Sequence, residues 1–198
     1  MAYPDKNEVG SVKVKDYDKQ SEITIKAHKG PINCLQLNKD GSILATASDK
    51  GTLIRLFDTS TGEPIQELRR GSENADIFSI AFDNTNKFLA VSSDRKTIHI
   101  FIISREENKV EKNEVNENSA SNKKSVFGNF ANFFGMGKKY FNSEWSFAQF
   151  KVNSPKSICT FGPDNSIVVV SNDGKYYQAT FDPKTGGECT KIQEKSIF

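Results

Sequence analysis

The sequence predicts an all-β fold: an incomplete β-propeller of four-stranded antiparallel blades, with about three and a half blades present. Three observations predict it, namely an internal repeat, strands of alternating polarity within the repeat, and glycine-containing turns between those strands. Ile32 aligns with Ile77 at an offset of 45 residues, and the alignment continues without a gap. The further matched pairs are Leu44/Leu89, Ala45/Ala90, Ser48/Ser93, Asp49/Asp94 and Thr52/Thr97. A period of about 40–45 residues is typical of propeller blades.

The first complete repeat, residues 28–71, has the clearest strand pattern. Its four predicted strands are 32–38, 42–48, 52–58 and 64–70. Gly41, Gly51 and Gly62 stand in the turns between these strands. Glycine suits such turns because it adopts the positive φ angles that tight hairpins require.

The other repeats follow the same order. In the second, 72–152, strands at 77–82, 87–93 and 97–103 precede an insertion, 104–143, and a delayed fourth strand at 144–152. In the third, 153–198, the strands are 157–161, 166–171, 175–181 and 188–193. Residues 10–27 are predicted as the end of an earlier blade, with strands at 10–16 and 21–27. Because closure removes exposed sheet edges, we interpret the chain as a fragment whose missing N-terminal blades are supplied by another chain or are absent.

Composition excludes several function classes. The formal net charge is only +2, which argues against a nucleic-acid-binding face. The chain has two histidines and no paired-carboxylate motif or Gly-rich phosphate loop, so we expect no catalytic activity and no cofactor. The three cysteines, Cys34, Cys159 and Cys189, lack C-x-x-C spacing and predict free, mostly buried thiols in a reducing compartment, not a metal site.

The insertion at 104–143 has a polar first half and an aromatic second half. Phe127, Phe130 and Phe134 have the spacing of one helical face. Aromatic rings flanked by lysines are typical of segments that enter the boundary between lipid head groups and acyl chains. The alternative is that these rings pack on the propeller wall. The candidate membrane-inserting residues are Phe127, Phe130, Phe133, Phe134, Lys138 and Lys139.

Two adjacent arginines, Arg69 and Arg70, end the predicted fourth strand of the first complete blade, in the sequence Leu68-Arg69-Arg70-Gly71. Side chains alternate along a strand, so we expect the two arginines to point in opposite directions, toward two separate sites. The planar guanidinium group matches phosphate oxygens bidentately. The alternative is a pair of solvated surface charges.

The arginines lie in a longer stretch that resembles a known family. KGTLIRLFDTSTGEPIQELRRG (50–71), SSDRKTIHIF (92–101) and FNSEWSFAQF (141–150) resemble the PROPPIN family, the phosphoinositide-binding propellers of autophagy. The resemblance covers most of residues 10–193. It implies two pockets on the propeller rim, each suited to phosphatidylinositol 3-phosphate or the 3,5-bisphosphate.

The same resemblance assigns residues to each pocket. The first pocket would comprise Arg69, His28, Ser48, Lys50 and Thr52, and the second Arg70, Ser72, Ser93, Arg95 and Thr97. The repeat supports this assignment, because Ser48 and Thr52 are equivalent to Ser93 and Thr97 in the adjacent blade. For His28, a structural hydrogen bond within its own blade is an equally open alternative.

The expected function is phosphoinositide binding by a peripheral membrane protein that acts in autophagy as a membrane-recruited scaffold. The alternative is a WD-repeat protein-interaction scaffold without specific lipid binding. By the resemblance, the partners would be phosphoinositide-containing membranes and autophagy proteins, including a lipid-transfer protein, and no nucleic acid. The expected location is the cytoplasm and the surface of autophagosome-precursor, endosomal or vacuolar membranes.

Overall fold

The computed structural model describes residues 1–104 and 143–197, and within these ranges every regular element is a β-strand. The predicted all-β class is therefore confirmed. The strands are β1 (Ala2–Pro4), β2 (Ser11–Asp16), β3 (Ser21–Lys26), β4 (Ile32–Leu37), β5 (Ile43–Ser48), β6 (Leu53–Asp58), β7 (Pro64–Arg69), β8 (Ile77–Phe82), β9 (Phe88–Ser93), β10 (Thr97–Ile102), β11 (Glu144–Trp145), β12 (Ala148–Lys151), β13 (Ser157–Phe161), β14 (Ser166–Ser171), β15 (Lys175–Asp182) and β16 (Gly186–Ser196).

The strands form successive antiparallel blades. The first complete blade has the order β7-β6-β5-β4, the second β12-β10-β9-β8 and the third β13-β14-β15-β16. A partial blade, β1-β2-β3, precedes them. The short strand β1 was absent from the sequence-based prediction. It pairs with β2 through Ala2 opposite Val14 and Pro4 opposite Val12.

The delayed fourth strand of the second blade differs from its prediction as one continuous strand over 144–152. It is divided into β11 and β12, which pair with different blades. Trp145 in β11 lies opposite Arg69 in a short parallel pairing with β7, whereas β12 pairs antiparallel with β10. At the start of the segment, Gln66 Nε2 of the neighbouring blade donates a hydrogen bond to Glu144 Oε2 at 3.0 Å.

The apolar core lies between neighbouring blades. Alternate side chains of β6 and β7, such as Ile54 and Leu68, pack with Ile80, Leu89 and Val91 of the second blade. The next interface repeats this arrangement with Ile98 and Ile100 against Ile167 and Val169. Burying such aliphatic side chains contributes roughly 1.5–3 kcal/mol each, so adjacent blades are held at fixed positions. This fixes the strand ends on which the candidate site stands.

The described residues contain no helix of the length and hydropathy that crossing a membrane would require.

Candidate anion-binding site

Four of the five residues assigned to the first pocket lie at one end of the first complete blade. Ser48 ends β5, Lys50 lies in the following turn, Thr52 precedes β6, and Arg69 ends β7. The strand register brings these ends together, because Leu53 lies opposite Arg69 and the Arg70 N–H donates to Thr52 O at 2.9 Å. Lys50 is exposed, whereas Ser48 is buried.

The second blade presents equivalent positions at the same end of its strands. Ser93 ends β9, Arg95 lies in the turn, and Thr97 begins β10. The repeat extends to backbone detail: Gly51 and Lys96, which are 45 positions apart, both have a φ of 58°. The two turns therefore have matching geometry, and each follows a buried serine.

Arg69 contacts the segment that follows the insertion. Its Nε donates a hydrogen bond to Ser143 Oγ at 2.9 Å. Its guanidinium carbon lies 5.9 Å from the centre of the Trp145 ring, in a cation–π arrangement. Trp145 itself is 64% exposed. Arg69 is thus positioned at the blade edge beside a large solvent-exposed aromatic ring.

Arg70 is only 6% exposed and bonds to different groups. Its Nε donates to Gly51 O at 3.0 Å, and its Nη2 donates to Glu73 O. Burial, followed by the nearby positive charge of Arg95, lowers the pKa of Arg70. The two neighbouring guanidinium groups thus have separate surroundings, which is the arrangement that two distinct anion pockets need.

Arg95 joins the same surroundings as Arg70. Its Nε and Nη2 both donate to Asn74 O, at 3.1 and 2.7 Å, and its Nη1 lies 3.1 Å from Glu73 Oε2. Ser93 Oγ accepts a hydrogen bond from the Arg95 N–H at 3.3 Å. Ser72 is exposed in the loop that carries Glu73 and Asn74. The structure therefore brings Arg70 and Arg95 together around one loop.

His28 bonds within its own blade, to a residue of β5. Its Nε2 lies 3.0 Å from Thr46 Oγ1, and burial together with the charge of Arg55 lowers its pKa to about 4. This hydrogen bond is the one expected if His28 has a structural role in its blade. A phosphate-binding role for His28 stays a prediction. His99 is similarly buried, with Nδ1 3.1 Å from Ser146 Oγ and a pKa lowered to about 4, mainly by burial.

These two histidines predict acid sensitivity of the fold. Each is neutral when folded, so its favourable contribution is complete above its unfolded pKa of 6.5 and is lost as the pH falls toward about 4. We expect the free energy of unfolding to fall by about 1–2 kcal/mol per histidine between pH 7 and pH 5. Urea unfolding of wild type and His99→Gln at both pH values measures this. An equal fall in both proteins would contradict the contribution assigned to His99.

The candidate membrane-inserting residues, Phe127, Phe130, Phe133, Phe134, Lys138 and Lys139, lie outside the described residues, and their role stays a prediction. The three cysteines are free thiols as predicted: Cys159 and Cys189 are buried and Cys34 is half-buried. Within 1–104 and 143–197, no group of three or more His, Cys, Asp or Glu side chains is placed to hold a metal ion.

Comparison with known proteins assigns the family. The family model for PROPPIN matches residues 1–198. The chain belongs to the PROPPIN family. This confirms the resemblance carried by the arginine pair and the SEWS segment.

Individual PROPPIN relatives agree with this assignment. The chain is 36% identical to "Autophagy-related protein 18e" of Arabidopsis thaliana over 96% of its own length and 47% of that protein. It is 31% identical to "WD repeat domain phosphoinositide-interacting protein 1" of Xenopus laevis, over 100% of this chain and 47% of that protein. The chain thus spans about half the length of these curated relatives.

Solved PROPPIN structures share the fold. The structure of Kluyveromyces lactis Hsv2 superimposes on this chain with a TM-score of 0.73 and 26% sequence identity, covering 100% of this chain and 59% of that one. The propeller fold class is therefore confirmed.

Sequence reasoning missed several contacts of the candidate site. Glu73, Asn74 and Ser143 bond to the assigned arginines, and Trp145 lies beside Arg69. The repeat contained a clue to one of them, because Glu73 stands 45 positions after His28. No residue type identifies the backbone carbonyl of Asn74 as a contact, because every residue carries a backbone carbonyl.

Proposed function

We propose that this PROPPIN chain is a non-enzymatic propeller that binds phosphoinositide head groups carrying a 3-phosphate. In this proposal it is recruited to membranes and acts there in autophagy as a scaffold. The observation that carries the proposal is the pair of arginine-centred clusters at equivalent ends of adjacent blades, one around Arg69 and one around Arg70 and Arg95.

The chemistry of the clusters suits phosphate. A guanidinium group offers several N–H donors in a plane and pairs well with phosphate oxygens. The hydroxyl groups of Thr52 and Thr97 are half-buried beside the cationic turns and can donate further hydrogen bonds, whereas Ser48 and Ser93 are buried beneath these turns. Two clusters on one edge would act together on one membrane, because the second binding event becomes intramolecular.

The names of relatives support the cellular setting. One matched relative is named a phosphoinositide-interacting protein and another an autophagy-related protein. Since the chain spans about half of each, their activity is carried over here as a proposal. It includes binding of autophagy proteins, among them a lipid-transfer protein, on autophagosome-precursor, endosomal or vacuolar membranes.

A protein-interaction scaffold without specific lipid binding is the second candidate function. It is favoured by the hydrogen bonds of Arg70 to Gly51 O and Glu73 O, because these bonds already use two of its donors. In a scaffold of this kind, the arginine pair stabilises the loops at the rim through its hydrogen bonds, and the exposed Trp145 contacts protein partners.

Vesicle sedimentation separates the two functions. The chain is mixed with vesicles of phosphatidylcholine alone, with added phosphatidylinositol, or with added phosphatidylinositol 3-phosphate at matched total charge. We expect the 3-phosphate vesicles to bind the chain at least about tenfold more tightly than the others, as one or two charge-assisted contacts would give. Equal binding to neutral and 3-phosphate vesicles would favour the scaffold.

A further inference from the structure

Residues 71–76, which belong to the loop between β7 and β8, contact both arginines of the second cluster. Arg70 donates Nη2 to the main-chain oxygen of Glu73. Arg95 donates two hydrogen bonds to the main-chain oxygen of Asn74. The loop is therefore fixed by the same guanidinium groups that the proposed function assigns to phosphate.

The loop has two acidic side chains, Glu73 and Asp76, and Glu73 forms the ion pair with Arg95. The Glu73 carboxylate lies 3.1 Å from Arg95 Nη1, and the two side chains are 74% and 45% exposed. An exposed pair of this kind is weak, because water and salt screen it. The carboxylate nevertheless occupies a donor of Arg95 that an arriving phosphate would use.

The repeat shows that this anion distinguishes the two clusters. The Asp49 N–H donates to Pro31 O, and 45 positions later the Asp94 N–H donates to Asp76 O, so the equivalence extends from the turns to the segments that precede β4 and β8. At that offset, Glu73 is the counterpart of His28. His28 is neutral near pH 7, since burial lowers its pKa to about 4. The second cluster thus carries a negative charge where the first carries none.

We propose that Glu73 limits the affinity of the second pocket, where its carboxylate competes with lipid anions for Arg95. This inference rests on the proposed function. A phosphate monoester carries a charge of about −1.5 to −2 at neutral pH and three acceptor oxygens, so it can displace one exposed carboxylate. A phosphodiester lipid has a single charge and does so poorly.

The test compares Glu73→Gln with a matched control, Glu63→Gln. Glu63 is exposed in the turn before β7, at the opposite end of that strand, and its replacement changes the net charge equally. Both variants and the wild type are titrated with vesicles containing phosphatidylinositol, and with vesicles containing phosphatidylinositol 3-phosphate at matched total charge. Thermal unfolding of each variant verifies that the fold is retained.

We expect Glu73→Gln to raise the affinity for 3-phosphate vesicles about two- to fivefold above the control, the range that an exposed ion pair gives. The affinity for phosphatidylinositol vesicles should rise less, because a lipid that cannot displace the carboxylate gains less from its removal than the ion pair is worth. The inference is overturned if Glu73→Gln behaves like Glu63→Gln or binds either lipid more weakly. The proposed function is unaffected by that result as long as the wild type binds 3-phosphate vesicles more tightly than phosphatidylinositol vesicles. A wild type that does not distinguish the two vesicles overturns both.

Discussion

Glutamine at both Arg69 and Arg70 is expected to reduce the affinity for phosphatidylinositol 3-phosphate vesicles at least about a hundredfold. A hydrogen bond to a charged group contributes about 1.5–3 kcal/mol, and every 1.4 kcal/mol is tenfold in affinity. Losing one such contact in each pocket therefore removes about 3 kcal/mol or more. The measurement is vesicle sedimentation over a range of lipid concentrations.

The two positions need separate controls because their surroundings differ. Replacing the buried Arg70 leaves Gly51 O and Glu73 O without this donor, which costs roughly 1–3 kcal/mol of stability. Arg69→Gln alone tests the first pocket beside Ser143 and Trp145 without this loss.

The double variant Lys39→Gln/Lys87→Gln is the matched control for the loss of two positive charges. Both lysines are exposed in the turns between the first two strands of their blades, at the opposite strand ends from Lys50 and Arg95. This pair should retain vesicle binding to within a few-fold. A folded arginine double variant with wild-type affinity would refute the assignment of both pockets.

Most of the blade architecture could be predicted because it depends on local patterns. Alternating side chains identify strands, as in β8, whose predicted and observed bounds coincide at residues 77–82. The structure extends the repeat to the turn of the second blade, where Lys96 adopts the left-handed backbone of Gly51. A lysine in that conformation is unfavourable in isolation, and it was not predicted from the sequence.

The candidate site was predicted less completely because its contacts are tertiary. The residues at the strand ends followed from the repeat and the family resemblance. The burial of Arg70 and its bonds to Gly51 O and Glu73 O depend on how the loop at 71–76 folds back, and no residue pattern specifies that. The parallel pairing of Trp145 with Arg69 joins residues 76 positions apart in sequence, beyond the reach of a strand pattern.

Alanine at Gly51 is expected to destabilise the fold by about 2–5 kcal/mol. Gly51 has a φ of +58°, and a Cβ atom there would lie 1.8 Å from Ala75 O. The left-handed conformation costs roughly 1–2 kcal/mol for a residue with a side chain, and displacing packed backbone adds about 1–3 kcal/mol. Urea unfolding monitored by circular dichroism measures the loss.

Gly41→Ala separates the two contributions, because Gly41 has a φ of +76° but no atom within 4 Å of its added Cβ. Gly41→Ala should lower the free energy of unfolding only by the cost of the left-handed conformation, about 1–2 kcal/mol. Lys96 occupies the equivalent turn of the second blade with the same φ as Gly51, so the close approach of Ala75 O, more than the backbone angle, must require glycine at 51.

Since Ala75 belongs to the loop that holds Arg70 and Arg95, Gly51→Ala should also weaken 3-phosphate vesicle binding, whereas Gly41→Ala should not. Equal destabilisation by both substitutions would show that the loop moves away freely, and would remove Gly51 from the support of the second pocket.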